Sequence, residues 1–354
     1  MAAPGYRPQF VPKVDPAKGP VSVRLERQPL AKLGPANKLL GRVLDPQGKP
    51  VPHAEVDFDA LHTEGGGVAY GAVEGIEPVA MTDANGEFLL ASEKPFVAMN
   101  VTVEAHGLAK RRFQRLESGH RHELRLLKGH AVTGRLVADG RPVSGATVGL
   151  LGVNRSMEES IGNYAAVTDA QGRFGFPNLP PDSECHLYSL MCEAGANGGV
   201  APVRKFRTGA DGAATDLGDL AIKPAFRVAG RVVLSDGKPL PPGLRAMLDR
   251  RDAWDTLPNV DLGADGSFVF EGVPAESIGL SVNVPGYRFS LLNPSLDRLN
   301  GFSIIGRVSG NLQGLLVLQE PGQFEHNWNR PSDPDDQPSE KPLRGLAPDR
   351  IPRR

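Results

Sequence analysis

The chain predicts an all-β fold built as three serial two-sheet modules, and three observations carry that prediction. An opening motif recurs as Gly41-Arg42-Val43 with Gly48-Lys49-Pro50-Val51, as Gly134-Arg135-Leu136 with Gly140-Arg141-Pro142-Val143, and as Gly230-Arg231-Val232 with Gly237-Lys238-Pro239-Leu240. A second motif trails each opening: Asp83-Ala84-Asn85-Gly86-Glu87-Phe88, Asp169-Ala170-Gln171-Gly172-Arg173-Phe174, and the looser Gly263-Ala264-Asp265-Gly266-Ser267-Phe268. The opening glycines lie 93 and 96 residues apart, a period that suits one small β-domain per repeat. The 42 glycines and 32 prolines punctuate short apolar runs, which favours turn-rich β-structure over helices.

Each module begins with the strand that holds Gly-x-Val. In the turn that follows, Gly48, Gly140 and Gly237 can take a positive φ, while Pro50, Pro142 and Pro239 stiffen the re-entry, so a hairpin is expected. The returning strand is clearest in the first module, where Val56, Phe58 and Ala60 alternate with Glu55, Asp57 and Asp59. That period of two buries one face and leaves the acidic stripe as a solvated face. The Asp-x-x-Gly-x-Phe turn then delivers Phe88, Phe174 and Phe268 to the same position in each module as core anchors. Later strands are expected at 101–105, 124–127, 217–222, 280–284 and 315–318, about seven per module, the spacing of a sandwich.

At the N-terminal end, Gly5-Tyr6-Arg7 matches Gly286-Tyr287-Arg288, and Val21-Ser22-Val23-Arg24-Leu25 matches His122-Glu123-Leu124-Arg125-Leu126. Residues 1–35 therefore read as the last strands of a partial module and a linker, with its front half expected upstream of Met1. Modules are placed at 36–129, 130–224 and 225–322. Gly306-Arg307-Val308 imitates an opening but is followed by neither turn motif, so it is assigned to the closing part of the third module. Residues 323–354 form a Pro-rich polyampholyte and are expected to be a disordered tail.

The pattern from Gly41 to Val56, followed by Thr82-Asp83-Ala84-Asn85-Gly86-Glu87-Phe88, resembles the carboxypeptidase regulatory-like domain family. The resemblance implies Ig-like or transthyretin-like (prealbumin-like) β-sandwiches in tandem. It also implies a non-catalytic scaffold, accessory or adhesion role at the cell envelope and an extracytoplasmic location. The third module departs most from the pattern, with Gly263 where the Asp belongs.

Composition narrows the function further. Forty basic and 41 acidic residues give a net charge of −1, which offers no field for a phosphate backbone, so nucleic acid is not an expected partner. No apolar run reaches the length of a membrane span, and the first residues lack a basic region followed by an apolar one. Cys185 and Cys192 lie seven apart, which points them to opposite faces of a continuous strand; two buried free thiols are expected unless the segment turns between them.

The residues with chemistry are few. His120-Arg121-His122 places two imidazoles on one strand face, and intradiol ring-cleavage dioxygenases share a related sandwich and bind ferric iron through two Tyr and two His in such a motif. No tyrosine lies between Tyr70 and His122 where that resemblance would require a ligand, and the alternative is that His122 is a partly buried hydrogen-bonding residue sharing strand parity with Leu124 and Leu126. His53, His62, His106, His130, His186 and His326 show no zinc-site spacing, and no Gly-x-Ser-x-Gly is present. No catalytic residue, metal ligand or cofactor is assigned. The connections at 61–80, 152–166 and 249–261 vary while the framework repeats, and they carry Tyr70, Tyr164 and Trp254. Exposed, such rings could stack on a sugar or anchor a partner protein; inward, they would pin their own loops.

Overall fold

A computed structural model describes Tyr6 and residues 19–26, 33–71, 73, 75–152, 163–290, 298–300, 303–322 and 343. The described residues form 25 strands and almost no helix. In the first sandwich these are β1 (Lys38–Leu44), β2 (Glu55–His62), β3 (Val68–Tyr70), β4 (Val79–Met81), β5 (Glu87–Ala91), β6 (Ala98–Glu104), β7 (Arg111–Glu117) and β8 (Arg121–Arg125). The second holds β9 (His130–Ala138), β10 (Arg141–Pro142), β11 (Thr147–Gly152), β12 (Asn163–Val167), β13 (Arg173–Leu179), β14 (Glu184–Ser189), β15 (Arg204–Arg207) and β16 (Ala214–Ala221), with the single-turn helix α1 (Ala194–Asn197). The third holds β17 (Phe226–Leu234), β18 (Arg245–Arg250), β19 (Val260–Asp261), β20 (Ser267–Val273), β21 (Ser277–Val282), β22 (Tyr287–Phe289), β23 (Arg298–Asn300), β24 (Ser303–Arg307) and β25 (Leu312–Pro321).

Each sandwich repeats one plan. The opening strand sits between the phenylalanine strand, antiparallel, and the closing strand, parallel: β5-β1-β8, β13-β9-β16 and β20-β17-β25. The facing sheets are β3-β2-β6-β7 with β4 also on β2, β12-β11-β14-β15, and β19-β18-β21-β24-β23. Three separate apolar clusters fill the spaces between sheets. Phe88, Phe174 and Phe268 are buried in them as expected.

The two motifs recur together because they touch. Gly41, Gly134 and Gly230 stand directly opposite Phe88, Phe174 and Phe268 in the antiparallel ladders. A Cβ on any of these glycines would overlap the facing ring, so the missing side chain is what lets each phenyl lie across the opening strand. The turns are interlocked as well. Val43 N–H donates to Gly86 O at 2.8 Å, Leu136 to Gly172 at 2.8 Å and Val232 to Gly266 at 2.9 Å. Asp83 Oδ1 accepts the amides of Asn85 and Glu87, each at 2.8 Å, and Asp169 Oδ1 does the same for Gln171 (2.9 Å) and Arg173 (2.8 Å). With Gly263 at that position, the third turn keeps the backbone bonds of Gly263 N to Ser267 O and of Gly266 N to Gly263 O, both at 2.8 Å, and its carboxylate comes instead from Asp265, whose Oδ1 accepts from Ser267 N at 3.1 Å.

Several expectations are corrected. The Gly-x-Pro turn does not make a hairpin of the first two strands: β1, β9 and β17 pair with neither β2, β11 nor β18, which lie in the opposite sheet. Local pairing is limited to the bridge Leu44↔Pro50 and the short β10 against β9. The chain crosses between sheets because Val51 and Val143 return their amides to Val43 O and Leu136 O, both at 3.0 Å, before turning away. Val21–Leu25 forms no strand, and of the rest of the expected partial module and linker most lies outside the described residues. The expected tail also lies outside them except for Leu343, which is buried in the third core. Both cysteines are free, but only Cys185 is buried; Cys192 is exposed because the chain turns into a 3-10 turn at Met191–Glu193.

Candidate functional site at the junction of the second and third sandwiches

In a sandwich strand with one solvated face, outward positions are polar, and β6 obeys that rule with Thr102 and Glu104. Its counterpart β14 does not. Cys185 and Leu187 face the second core, yet His186 and Tyr188 on the other face are buried too. Gly149 stands opposite Tyr188 in the ladder, and a Cβ there would overlap the phenol ring, so the ring lies flat across β11. Leu151, Tyr188 and Ala253 form a small apolar cluster with Leu190 and Val203 packed on it. Ala253 belongs to the third sandwich, whose segment following β18 covers this face.

Arg250, the last residue of β18, is the centre of the junction and is only 1% exposed. Nε donates to Glu276 Oε2 at 2.8 Å, and Nη2 lies 2.7 Å from the same oxygen. Nη1 donates to Ser189 O at 2.9 Å, and Nη2 also reaches Ala201 O at 3.2 Å, so the third sandwich's arginine caps two carbonyls of the second. Asp255 Oδ2 lies 3.4 Å from Nη1 and accepts Met191 N–H at 2.9 Å. Burial pushes the Asp255 carboxyl up, while the Arg250 charge and the Met191 amide pull it back. The guanidinium carbon lies 5.7 Å from the centroid of the Tyr188 ring.

Further bonds tie the segment down. Tyr188 O–H donates to Trp254 O at 3.1 Å, His186 Nδ1 lies 2.7 Å from Asp252 O, and Lys205 Nζ lies 3.0 Å from the Asp252 carboxylate. Glu276 Oε1 accepts Val203 N–H at 2.5 Å. Gly272, at the bulge of β20 with φ +81, presses against Met191 O and Ala194. The result is a fixed backbone that presents one large ring to solvent: the Trp254 side chain is 65% exposed.

The other two loop aromatics divide. Tyr70 ends β3 opposite Ala60 and is 45% exposed. Tyr164 on β12 packs against the second core, and burial, with Glu104 of the first sandwich adding to it, pushes its phenol up. It turns toward its own core.

The histidine pair serves the backbone. His122 Nε2 lies 2.9 Å from Glu117 O and His120 Nδ1 3.1 Å from Ser118 O, both groups exposed or half-buried at the β7–β8 turn. Among the described residues no group of three or more His, Cys, Asp and Glu converges. His62 and His130 bond to Asn100 Oδ1 and Thr215 Oγ1, each at 2.9 Å. The acidic stripe on β2 is less solvated than expected. Asp59 accepts from Thr102 Oγ1 at 2.6 Å and lies 3.1 Å from Arg112 Nε, and burial together with Glu55 raises the Asp57 carboxyl to about 6.

Two shallow grooves mark the outer faces of the opening-strand sheets. The one on the second sandwich, about 430 Å³, is floored by the bidentate pair of Arg135 with Asp219 (both bonds 2.8 Å); the one on the third, about 400 Å³, is lined by Arg231, Asp265 and Leu316 among others. The sequence singled out Trp254 but missed Arg250, Tyr188 and Glu276. The available signal was the run Cys185-His186-Leu187-Tyr188-Ser189, which carries no acidic, Lys or Arg residue on either face.

No protein-family model matches the chain, and none of the curated proteins compared with it does. Among solved structures, it is similar to a streptococcal ancillary pilin, at 11% identity and TM-score 0.28 over 80% of this chain and 99% of that one. It is similar to BcpA, the major pilin subunit of Bacillus cereus, at 9% identity and TM-score 0.20 over 81% and 99%. The Bacillus anthracis TIE protein matches at 12% identity and TM-score 0.22 over 81% of this chain, which spans 50% of the length of that protein. At TM-scores this far below 0.5, these likenesses carry no argument about function.

Proposed function

We propose that this protein is a non-catalytic scaffold or adhesion array, its three sandwiches bounded near 36–129, 130–224 and 225–322, that presents the binding surfaces of the second and third in a fixed mutual geometry. The observation that carries the reading is the buried Arg250 clasp. Independent beads on a string need only linkers, whereas this chain commits an arginine, two carboxylates, a tyrosine and three backbone carbonyls to locking one sandwich against the next. The partner is a protein or carbohydrate at the cell envelope, and the location extracytoplasmic; the envelope setting follows the family resemblance of the repeated motif, and the carbohydrate the loop aromatics. Surface-protease digestion of intact cells expressing the full-length chain tests the location: cleavage without lysis is expected, and full protection contradicts it.

Carbohydrate binding is the second reading, favoured by Trp254, whose ring is exposed while its backbone is held by Tyr188. A bare indole on a rigid support stacks on a sugar face at little entropic cost. Glycan-array binding that falls at least tenfold in Trp254→Ala is the expected result. An unchanged array profile removes the reading.

A further inference from the structure

The opening motif places an arginine on the outward side of each first strand, and the ladders fix its two lateral neighbours. In the first sandwich Arg42 stands between Glu87 and Glu123, and in the third Arg231 stands between Ser267 and Leu316. The second departs from both: Arg135 has Asp219 on one side and Arg173 on the other. Like charges set directly opposite in a ladder oppose folding. Asp219 does not relieve the second cation, because both of its oxygens already take bonds from Arg135 at 2.8 Å. Arg173 is exposed, and among the described residues its guanidinium has no carboxylate within ion-pairing distance.

The Arg135–Asp219 pair floors a groove of about 430 Å³ whose far wall is acidic. Asp216 and Asp219 are three positions apart, a spacing that sends side chains to opposite faces of a regular strand. The bulge between them, with Gly218 at φ +67, brings both to the outward face, opposite Thr133 and Arg135. Cationic donors therefore lie on the β13 side of the groove and acceptors on the β16 side, with the Thr133 hydroxyl between. All of them stand on strands, so the pattern is set before a ligand arrives. A ligand that answers it carries a carboxylate for the Arg173 fork and hydroxyl donors for the aspartates. An acidic peptide answers only the first half, because its further charges meet Asp216 and Asp219. A uronic acid carries both groups on one ring.

We propose that this groove on the second sandwich binds a uronic-acid saccharide, its carboxylate on Arg173 and its ring hydroxyls on Asp216 and Thr133. The inference rests on the reading of the chain as a binding array and names an acidic sugar as one of its ligands. Trp254 takes no part, since the segment that carries it covers the facing sheet.

Calorimetric titration of the full-length chain with a linear galacturonic acid trimer at low ionic strength tests the site. Saturable binding that weakens as salt is added is expected. It should be weaker by about tenfold or more in Arg173→Gln and unchanged in Trp254→Ala. Arg173→Glu should abolish it while the urea midpoint of the second sandwich stays level or rises, because that change sets opposite charges beside Arg135 as the first sandwich does beside Arg42. Four results overturn the proposal: no saturable binding to the native chain, equal binding by Arg173→Gln, equally tight binding of a neutral galactose trimer or of tetraglutamate, or a lowered midpoint in Arg173→Glu. A native chain that binds neutral glycans through Trp254 and ignores the galacturonic acid trimer sinks this inference and spares the reading at Trp254.

Discussion

The two junctions of this array begin from the same device and end as different structures. In both, a positive-φ residue at the bulge of the phenylalanine strand leans on the preceding sandwich: Asn178 with φ +60 in β13, and Gly272 with φ +81 in β20. At the first junction Asn178 Nδ2 donates to Gly107 O at 3.0 Å and Lys128 O at 2.6 Å, and Gly129 packs on the asparagine backbone. The two asparagine side-chain bonds are exposed. At the second junction the same contact is joined by the whole segment from Arg250 to Asp255, laid on an apolar sheet face. The difference lies in that face: β6 presents Thr102 to Asp59 on β2 and Glu104 to Lys110 just before β7, while β14 presents His186 and Tyr188 to the next sandwich. The shared framework sets where sandwiches meet, and two outward positions on one strand decide whether they lock.

The comparison can be broken most severely at Arg250. Arg250→Met strands Glu276 and Asp255 in a buried site, at a cost of about 3–5 kcal/mol. Chemical denaturation should show two transitions in the native chain, one for the first sandwich and one for the second and third together. In Arg250→Met the second transition should split. A single unchanged transition would mean that the clasp does not couple the two cores.

Next comes a change confined to the first sandwich. Burial raises the Glu77 carboxyl from the ordinary 4.5 to about 7, against the pull of the Ala91 amide it accepts at 3.0 Å. Because the folded state holds this proton more tightly than the unfolded chain, stability is full below about 4.5 and falls as the pH rises to about 7. Glu77→Gln should remove that slope and stabilise the first transition by about 1–2 kcal/mol above pH 7, solvent screening included, leaving the second transition unmoved. Urea midpoints from pH 4 to 8 check it.

Tyr188→Phe is a finer probe. It deletes the bond to Trp254 O and keeps the ring over Gly149 and under Arg250, so a loss of about 1 kcal/mol is expected in the second transition alone. Smallest is Asn178→Gly, which retains the positive φ and removes both donors at the first junction. The midpoints should shift by no more than about 0.5 kcal/mol, while NMR relaxation reports a freer first sandwich.

What was legible in the sequence follows from what repeats. Turn glycines, aspartates and core phenylalanines obey local rules, so their positions could be read directly and the all-β sandwich class with them. The sheet assignment of the second strand was not legible, because the same Gly-x-Pro turn serves a hairpin or a crossing and only the return bonds of Val51 and Val143 decide. Arg250 looked like an ordinary surface residue beside Arg251 and Asp252, since nothing local says that another sandwich will cover it. Leu343 was hidden for a related reason: one apolar residue in a Pro-rich stretch signals burial only when its partner is the missing Cβ of Gly306, 37 positions earlier.

Residual dipolar couplings of the native chain in a weakly aligning medium test the central claim most directly. The account predicts one shared alignment tensor for the second and third sandwiches and a separate, smaller one for the first. Three independent tensors, or a first and second sandwich moving together while the third moves alone, would contradict it.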